Sequence, residues 1–321
     1  MSEPLILAIP SKGRLKEQAD AWLADCGFSL QASGGARGYR AAIDKLPGVQ
    51  VQLLSPSDIA AALDAGEVHL GITGEDLIRE RGEGVDARVM LLRALGFGRA
   101  DVVVAAPKSW IDVDAMSDIE EVAAAYLART GRRLRVATKY LVQTRAFFAR
   151  HGIADYRIVE SGGATEGAPA AGAAELVVDI TTTGATLAAN NLKVVSDGVI
   201  LRSQAQLAAA LKAPWTPAHV DVVRFFLRTV EARARAKQLA ALAWPPGQDG
   251  GARAAVARFQ GQAAAPGAEG LLTPMKTLFD AANALADAGI GPASASRPDY
   301  VFEPECLAAD NLLARLGFST P

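Results

Sequence analysis

The stretch that most constrains the fold runs from Val177 to Leu187 and reads VVDITTTGATL. Its β-branched start predicts a buried parallel strand, and Gly184 interrupts the pattern just before a helix that we expect to begin near Thr186. A strand, a tight turn and a helix in this order are typical of an α/β fold. Backbone N–H groups at the start of such a helix point into the turn and favour an anion there.

The same turn carries side chains that suit a phosphorylated sugar. Threonine hydroxyls can donate hydrogen bonds to a phosphate, and Asp179 can accept bonds from sugar hydroxyls or approach a bound Mg²⁺. The alternative is a plain turn, in which the threonines follow strand propensity and Gly184 only reverses the chain. The phosphate-site residues predicted here are Asp179, Thr181, Thr182, Thr183, Gly184, Ala185 and Thr186.

Composition predicts a globular protein with more than one domain, because 321 residues exceed what one hydrophobic core usually organises. Apolar residues make up 50% and charged residues 21%, which excludes a disordered chain. The net charge of −2 gives no overall attraction to nucleic acid or to an anionic membrane. The N-terminal segment lacks the pattern of a signal peptide or a membrane span. We therefore expect a cytoplasmic protein with reduced thiols that binds neither nucleic acid nor membrane.

Strand and helix patterns alternate from Leu5 onward and predict two α/β lobes that bracket a cleft, where small ligands commonly bind. Lobe I is predicted to comprise residues 1–95 and 185–214, and lobe II residues 96–184 with the phosphate loop. Residues 215–321 are predicted to form a smaller C-terminal α/β module with a long first helix and a strand near 299–303. We expect this module to serve regulation or oligomerisation.

The first strand-to-helix turn adds cations to the same kind of sheet edge. Lys12, Gly13 and Arg14 offer two positive charges and close access to the backbone, which suits a pyrophosphate. The alternative is that both cations are solvated. Cations near a helix N-terminus oppose the helix dipole, and that cost favours a functional role.

Five segments in this order resemble the ATP phosphoribosyltransferase family. They are IPSKGRL at 9–15, GITGEDLI at 71–78, RVATKY at 135–140, EGAPAAGAAELVVDITTTGATL at 166–187 and SQAQL at 203–207. The resemblance implies a two-lobed core similar to type II periplasmic binding proteins. It also implies transfer of the phosphoribosyl group of phosphoribosyl pyrophosphate to an adenine ring nitrogen of ATP, the first step of L-histidine biosynthesis.

The resemblance assigns roles to residues of this chain. It implies that the turn from Asp179 to Thr186 holds the 5′-phosphate and ribose of the donor. Lys12 and Arg14, with Arg37 or Arg40, would face the departing pyrophosphate. Gly74, Glu75 and Glu166 would line the nucleotide and ribose pocket. Mg²⁺ would arrive with the phosphates, near Asp179, and would not be fixed by protein ligands alone. We expect a homo-oligomer, with a regulatory partner subunit as a further expectation.

Two alternatives from other classes stay open at this point. The same two-lobed fold serves non-catalytic proteins that bind small anions or effectors, and fold alone does not decide function. A regulatory paralogue of the enzyme is the second alternative, although the intact DITTTGATL turn disfavours it. One departure concerns the nucleotide site: Gly96 stands where many relatives have an aspartate before Phe-Gly, and Arg99 is a nearby replacement.

Overall fold

The computed structural model describes residues 3–32, 40–259, 262–263 and 270–319. The chain divides into two compact units, of which the larger comprises residues 1–24 and 29–216 and the smaller comprises residues 25–28 and 217–321. No helix within the described ranges combines the length and the apolar character that crossing a membrane requires.

Strands and helices alternate along the larger unit. Its first part contains β1 (Leu5–Pro10), α1 (Gly13–Asp25), β2 (Leu30–Ala32), β3 (Arg40–Ile43), β4 (Val49–Leu54), α2 (Pro56–Ala65), β5 (Leu70–Gly74), α3 (Glu75–Arg79) and β6 (Val89–Ala94). Its second part contains β7 (Ala100–Pro107), α4 (Met116–Thr130), β8 (Leu134–Thr138), α5 (Leu141–Arg150), β9 (Tyr156–Glu160), β10 (Leu176–Thr181), α6 (Ala185–Ala189), β11 (Leu192–Ser203) and β12 (Ala205–Ala210).

The first lobe is built on a sheet whose order, within the described ranges, is β2-β3-β4-β1-β5-β12-β6. The strands β4, β1 and β5 are parallel, with Leu7 beside both Val51 and Leu70. β12 runs antiparallel to β5 and to β6. Ile59 and Leu63 of α2 are fully buried against this sheet, because apolar residues four apart lie on one helix face.

The second lobe has the described strand order β11-β7-β10-β8-β9, with β10 parallel to β8 and antiparallel to β7. Its core packs Phe148 of α5 and Ile119 of α4 against the valines of β7. The predicted boundary at residue 185 is wrong, since α6 and β11 follow β10 in this lobe and β11 pairs with β7. The chain returns to the first sheet only between Ser203 and Ala205, because the strand before them, β11, pairs with β7 at the edge of the second sheet.

The start of α4 is stabilised by acidic side chains. The helix begins at Met116. The Asp118 carboxylate accepts hydrogen bonds from the backbone N–H groups of Asp114 (2.7 Å) and Ala115 (2.8 Å). Asp197 Oδ1 accepts the backbone N–H of Met116 at 2.7 Å, so two aspartates stabilise the start of this helix.

The smaller unit is α/β as predicted. It contains α7 (Pro217–Ala236), β13 (Leu239–Ala243), α8 (Asp249–Val256), β14 (Gln262–Ala263), β15 (Gly270–Pro274), α9 (Leu278–Asp287), β16 (Ser294–Ser296) and α10 (Leu307–Leu316). Its described strands pair antiparallel in the order β14-β15-β13-β16. Leu242, Trp244 and Leu285 lie in its core.

The strand predicted near 299–303 is wrong. Ser294–Ser296 pairs with β13 instead, and residues 299–303 run along α7. There Val301 donates its backbone N–H to Ala232 O, and Arg235 donates to Val301 O at 2.7 Å. The apolar and aromatic residues of this segment suggested a strand, but its backbone groups are satisfied by the helix C-terminus and an arginine side chain.

Candidate active site

The functional edge of the first lobe lies at the carboxyl ends of its parallel strands. Ser11, Ser55 and Glu75 directly follow β1, β4 and β5. β6 also ends at this edge and β12 begins there, because Ala205 pairs with Gly74 and Gln206 pairs with Ala94. The turn from Lys12 to Arg14 is therefore on the same edge as the Gly74 turn.

The second lobe presents a matching edge. β8, β9 and β10 end there, and Thr181 pairs with Asp101 at the start of β7. The connections from Leu95 to Arg99 and through Gln204 join the two edges directly. Ligands of open α/β sheets bind at the carboxyl ends of strands, and here two such edges adjoin.

The threonine turn is shaped by its own hydroxyl groups. Thr181 Oγ1 accepts the backbone N–H of Gly184 at 2.8 Å, and Thr183 Oγ1 accepts that of Ala185 at 3.4 Å. Gly184 has φ +74°, a conformation in which a side chain would be strained. α6 is only five residues long, so its dipole contributes less than a full helix would. The hydroxyl protons of Thr181 and Thr183 remain available to donate to an anion.

The outer part of the turn is open to solvent. Thr182, Thr183, Ala185 and Thr186 are exposed, and Thr182 Oγ1 donates to Arg99 O at 3.4 Å. Thr186 makes no side-chain hydrogen bond with any other described residue. The exposed threonines Thr182, Thr183 and Thr186 do not pack in the core. Their hydroxyl groups are therefore accessible to a ligand.

Asp179 is half-buried just before this turn. Burial raises the pKa of its carboxyl group, and the charge of Glu166 raises it further, while the backbone N–H of Ile180 and the charge of Lys139 lower it. The Ile180 N–H donates to Asp179 Oδ1 at 2.8 Å. A carboxylate held in this surrounding is well placed to accept hydrogen bonds from ligand hydroxyls.

The predicted cations have different positions. Lys12 and Arg14 are exposed at the start of α1, and neither makes an ion pair within the described ranges. Gly13 in the same turn has φ +76°, with open space where a Cβ would be. Arg37 lies outside the described residues, and so does the side chain of Arg40.

The three residues predicted for the nucleotide pocket are divided between the lobes. Gly74 ends β5, and Glu75 begins α3, where its carboxylate accepts from Gln206 Nε2 (2.9 Å) and Arg79 Nε (3.3 Å). Glu166 is half-buried on the second lobe, in a short 3₁₀ turn that follows Ala164 at φ +51°. Of the two acids, Glu75 already accepts hydrogen bonds from protein donors. The negative charge of Glu166 raises the pKa of Asp179.

A buried hydrogen-bond network joins the two lobes beside the cleft. Tyr140 Oη donates to Asp76 Oδ2 at 2.8 Å, and Ser203 Oγ donates to Asp76 Oδ1 at 2.8 Å. Burial and then the charge of Asp76 raise the pKa of Tyr140 well above its usual value, so the phenol stays a donor. The sequence did not predict this network. Asp76 lies in the motif GITGEDLI and Tyr140 in the motif RVATKY, but their contact joins the two lobes and no local pattern indicates it.

Glu80 and Gln143 extend the network. Glu80 Oε1 accepts the backbone N–H of Val142 at 2.7 Å, and Oε2 accepts that of Gln143 at 3.2 Å. The Gln143 side chain donates to Asp76 O at 2.9 Å. A carboxylate from the first lobe thus caps the N-terminus of α5 in the second lobe.

A cleft of about 500 Å³ lies between the joined edges. It is lined by Arg14, Leu15, Gln18, Pro56, Gly74, Asp76, Leu77, Gly96, Phe97, Gly98, Arg99, Ala100, Ile180 and Thr182. A larger cavity of about 640 Å³, bordered by Trp110 and Tyr126, belongs to the second lobe alone and contains none of the predicted site residues. The smaller cleft is the better candidate site because it collects charged and polar groups from both edges.

Protein ligands for a metal ion are sparse around the cleft. Across the described ranges, no group of three or more His, Cys, Asp or Glu side chains lies close enough to hold a metal ion. Asp179 and Glu166 are two carboxylates of the second-lobe edge that interact with each other, and Asp101 pairs with Thr181 of the turn.

Known proteins match this chain over nearly its whole length. An ATP phosphoribosyltransferase of Caulobacter vibrioides is 66% identical over 316 residues, which cover 98% of this chain and 99% of that protein. The HisG family model, described as ATP phosphoribosyltransferase, matches residues 55–228. The chain belongs to the ATP phosphoribosyltransferase family. The resemblance noted in the sequence is thereby confirmed.

Further relatives agree with this membership. An ATP phosphoribosyltransferase of Afipia carboxidovorans is 50% identical and covers 98% of each chain. A solved structure, the ATP phosphoribosyl transferase (HisG:HisZ) complex from Thermotoga maritima, matches with 25% identity and a TM-score of 0.54. That match covers 71% of this chain and 96% of the other. The receptor and paralogue alternatives lose their support, because relatives that match end to end bear the name of the enzyme.

Proposed function

We propose that this member of the ATP phosphoribosyltransferase family transfers the phosphoribosyl group of phosphoribosyl pyrophosphate to an adenine ring nitrogen of ATP. Pyrophosphate leaves, and the reaction is the first step of L-histidine biosynthesis. The observation that carries the proposal is the junction of two sheet edges, one with the Asp179–Thr186 turn and one with the Lys12–Arg14 turn.

The threonine turn would bind the 5′-phosphate of the donor. The hydroxyl oxygens of Thr181 and Thr183 accept hydrogen bonds from the backbone of the turn. Their hydroxyl protons can therefore donate to a phosphate. Thr186 is exposed beside them. Asp179, before the turn, would accept hydrogen bonds from the ribose hydroxyls, which fixes the ring relative to the attacking nucleotide.

The reaction requires charge control more than proton transfer. An adenine ring nitrogen already carries a lone pair, and the ribosyl carbon becomes oxocarbenium-like as the bond to pyrophosphate stretches. Negative charge then grows on the pyrophosphate, and the cations of Lys12 and Arg14 would stabilise it. Both are exposed and free of ion pairs within the described ranges, so no protein carboxylate competes for them. We include Arg37 and Arg40 in this proposed role.

The nucleotide would occupy the cleft bordered by Gly74. Glu75 of the first lobe and Glu166 of the second lobe are the acids that we propose for the nucleotide and ribose pocket. Gly96 and Arg99 line the same cleft. Gly96 leaves space there, and the exposed Arg99 adds a positive charge nearby. This arrangement suits a triphosphate.

A divalent metal suffices as cofactor for such an enzyme, and we propose Mg²⁺. Mg²⁺ keeps several waters and prefers phosphate oxygens, so it would enter with the substrates and neutralise charge on the pyrophosphate. Asp179 is the edge carboxylate that would approach it.

We also propose a cytoplasmic homo-oligomer. Both cysteines are buried and neither forms a disulfide in the described structure, which fits a reducing compartment. The matched Thermotoga maritima structure is a HisG:HisZ complex, so a regulatory partner subunit is the second possibility for this chain. Sedimentation velocity on the purified chain distinguishes an oligomer from a monomer that needs a partner, and cell fractionation tests the location.

The proposed reaction is tested by incubating the chain with ATP, phosphoribosyl pyrophosphate, Mg²⁺ and pyrophosphatase while recording the ultraviolet spectrum. Alkylation of the adenine ring changes its absorbance, and we expect that change only with both substrates present. Asp179→Asn should lower turnover strongly while the fold is retained, since the residue lies at a sheet edge. Unchanged turnover in this variant would remove Asp179 from the site, and an inactive wild-type chain would refute the proposal.

A further inference from the structure

Lys139 is a cation of the second-lobe edge that the proposed roles leave unused. It directly follows β8, and β8 runs parallel to β10 with Thr138 beside Val178. Lys139 follows Thr138, and Asp179 follows Val178. The two residues are therefore neighbours at this edge of the sheet. The Lys139 side chain is exposed, and its Nζ lies 5.0 Å from the centroid of the Tyr140 ring.

Asp179 is the acidic neighbour of Lys139. The positive charge of Lys139 lowers the pKa of Asp179, whereas the negative charge of Glu166 raises it. The other neighbour, Tyr140, is neutral and donates its hydroxyl proton to Asp76. Yet Lys139 makes no ion pair within 4.0 Å in the described part of the chain. Its ammonium group lies over the Tyr140 ring and acts electrostatically on Asp179, and it is available to meet an anion.

Three other cations of this lobe have protein partners. Arg135, on the same strand, donates to Glu175 at 2.6 Å. Lys193 donates to Ile111 O at 3.4 Å, and Lys108 donates to Ala188 O at 3.3 Å. A solvated surface lysine is the plain interpretation of Lys139, but its position beside Asp179 gives it a specific electrostatic neighbour.

We propose that Lys139 binds the pyrophosphate group of the phosphoribosyl donor. This inference rests on the proposed function and adds to it a contact from the second lobe. Asp179 and Glu166 alone would repel a polyanionic donor, and the ammonium of Lys139 offsets that repulsion at the edge where the donor is held. It would also gain interaction as negative charge grows on the leaving group.

Three variants test the inference. Lys139→Met removes the charge and keeps the length of the side chain, Lys139→Arg keeps the charge, and Lys193→Met is a matched control on the same lobe. A charge-assisted hydrogen bond corresponds to about a 10- to 100-fold change in affinity. We expect Lys139→Met to raise the KM for phosphoribosyl pyrophosphate by about that factor while the KM for ATP stays unchanged. Lys139→Arg should recover most of the loss, and Lys193→Met should match the wild type.

The comparison of the two KM values supplies a readout that a purely structural role would not give. A loss of folding would impair both substrates, whereas the loss of a contact with the donor raises only the KM for phosphoribosyl pyrophosphate.

The outcomes separate this inference from the proposed function. If the wild type and Lys193→Met are active and Lys139→Met equals them in both KM values, the inference is wrong and the proposed function stands. A loss for ATP alone, or an equal loss for both substrates, also overturns it. If the wild type has no activity, the proposed function fails and this inference fails with it.

Discussion

Removing the Tyr140 hydroxyl should destabilise the larger unit. In Tyr140→Phe, Asp76 Oδ2 loses a 2.8 Å hydrogen bond in a buried position, since Tyr140 is 1% exposed and Asp76 6% exposed. A hydrogen bond to a carboxylate contributes about 1.5–3 kcal/mol, and burial prevents water from replacing it fully. For a unit of this size, that loss corresponds to a decrease of about 3–12 °C in melting temperature.

The measurement is differential scanning fluorimetry at neutral pH, with Tyr126→Phe as the matched control. Tyr126 also donates to a carboxylate, Glu175 Oε1, but at 3.2 Å and in a half-buried position, and Glu175 keeps its bonds to Arg135. The control should lose under about 1 kcal/mol. Equal melting temperatures for the two variants would refute the argument that the Tyr140–Asp76 contact stabilises the junction of the lobes.

Two further predictions concern the threonine turn. Thr186→Val removes a hydroxyl that has no protein partner among the described residues. It should raise the KM for phosphoribosyl pyrophosphate and leave the KM for ATP and the melting temperature nearly unchanged. Steady-state kinetics with each substrate varied in turn measures both KM values, and an equal increase in the two would contradict the prediction. Asp179→Asn should raise the melting temperature at neutral pH even though turnover falls. Because the folded pKa of Asp179 lies above its ordinary value of 3.8, folding favours the protonated acid, and a destabilising contribution develops as the pH rises from 3.8 through the folded pKa. Melting curves from pH 3 to 8 should converge for wild type and variant at the acid end, and a lower melting temperature for the variant at pH 7 would contradict the prediction.

Strands that lie next to clear turn signals could be predicted from the sequence. The pattern that begins at Leu5 and the strand before the threonine turn correspond to β1 and β10, because glycine, proline and polar residues bound each run. In contrast, β12 reads AQLAAA, and alanine has low strand propensity. It is a strand because β5 and β6 supply hydrogen-bonding partners on both sides.

The candidate site was predictable only where its residues are local in sequence. The Asp179–Thr186 turn and the Lys12–Arg14 turn are each short motifs, and the structure leaves both at strand ends. The contacts of Asp76 with Tyr140 and Ser203 join residues 64 and 127 positions apart. Only the topology of the two sheets brings them together, so no single-sequence pattern could indicate them. The same holds for Glu80, whose partners begin 62 positions later in the chain.

The proposed function depends on the threonine turn binding the 5′-phosphate of an activated pentose. Isothermal titration calorimetry of the wild-type chain with phosphoribosyl pyrophosphate and Mg²⁺ tests this most directly, with ribose 5-phosphate and unphosphorylated ribose as competitors. We expect saturable binding of the donor, competition by ribose 5-phosphate and no competition by ribose. An absence of binding heat, or equal competition by the sugar without its phosphate, would contradict the account.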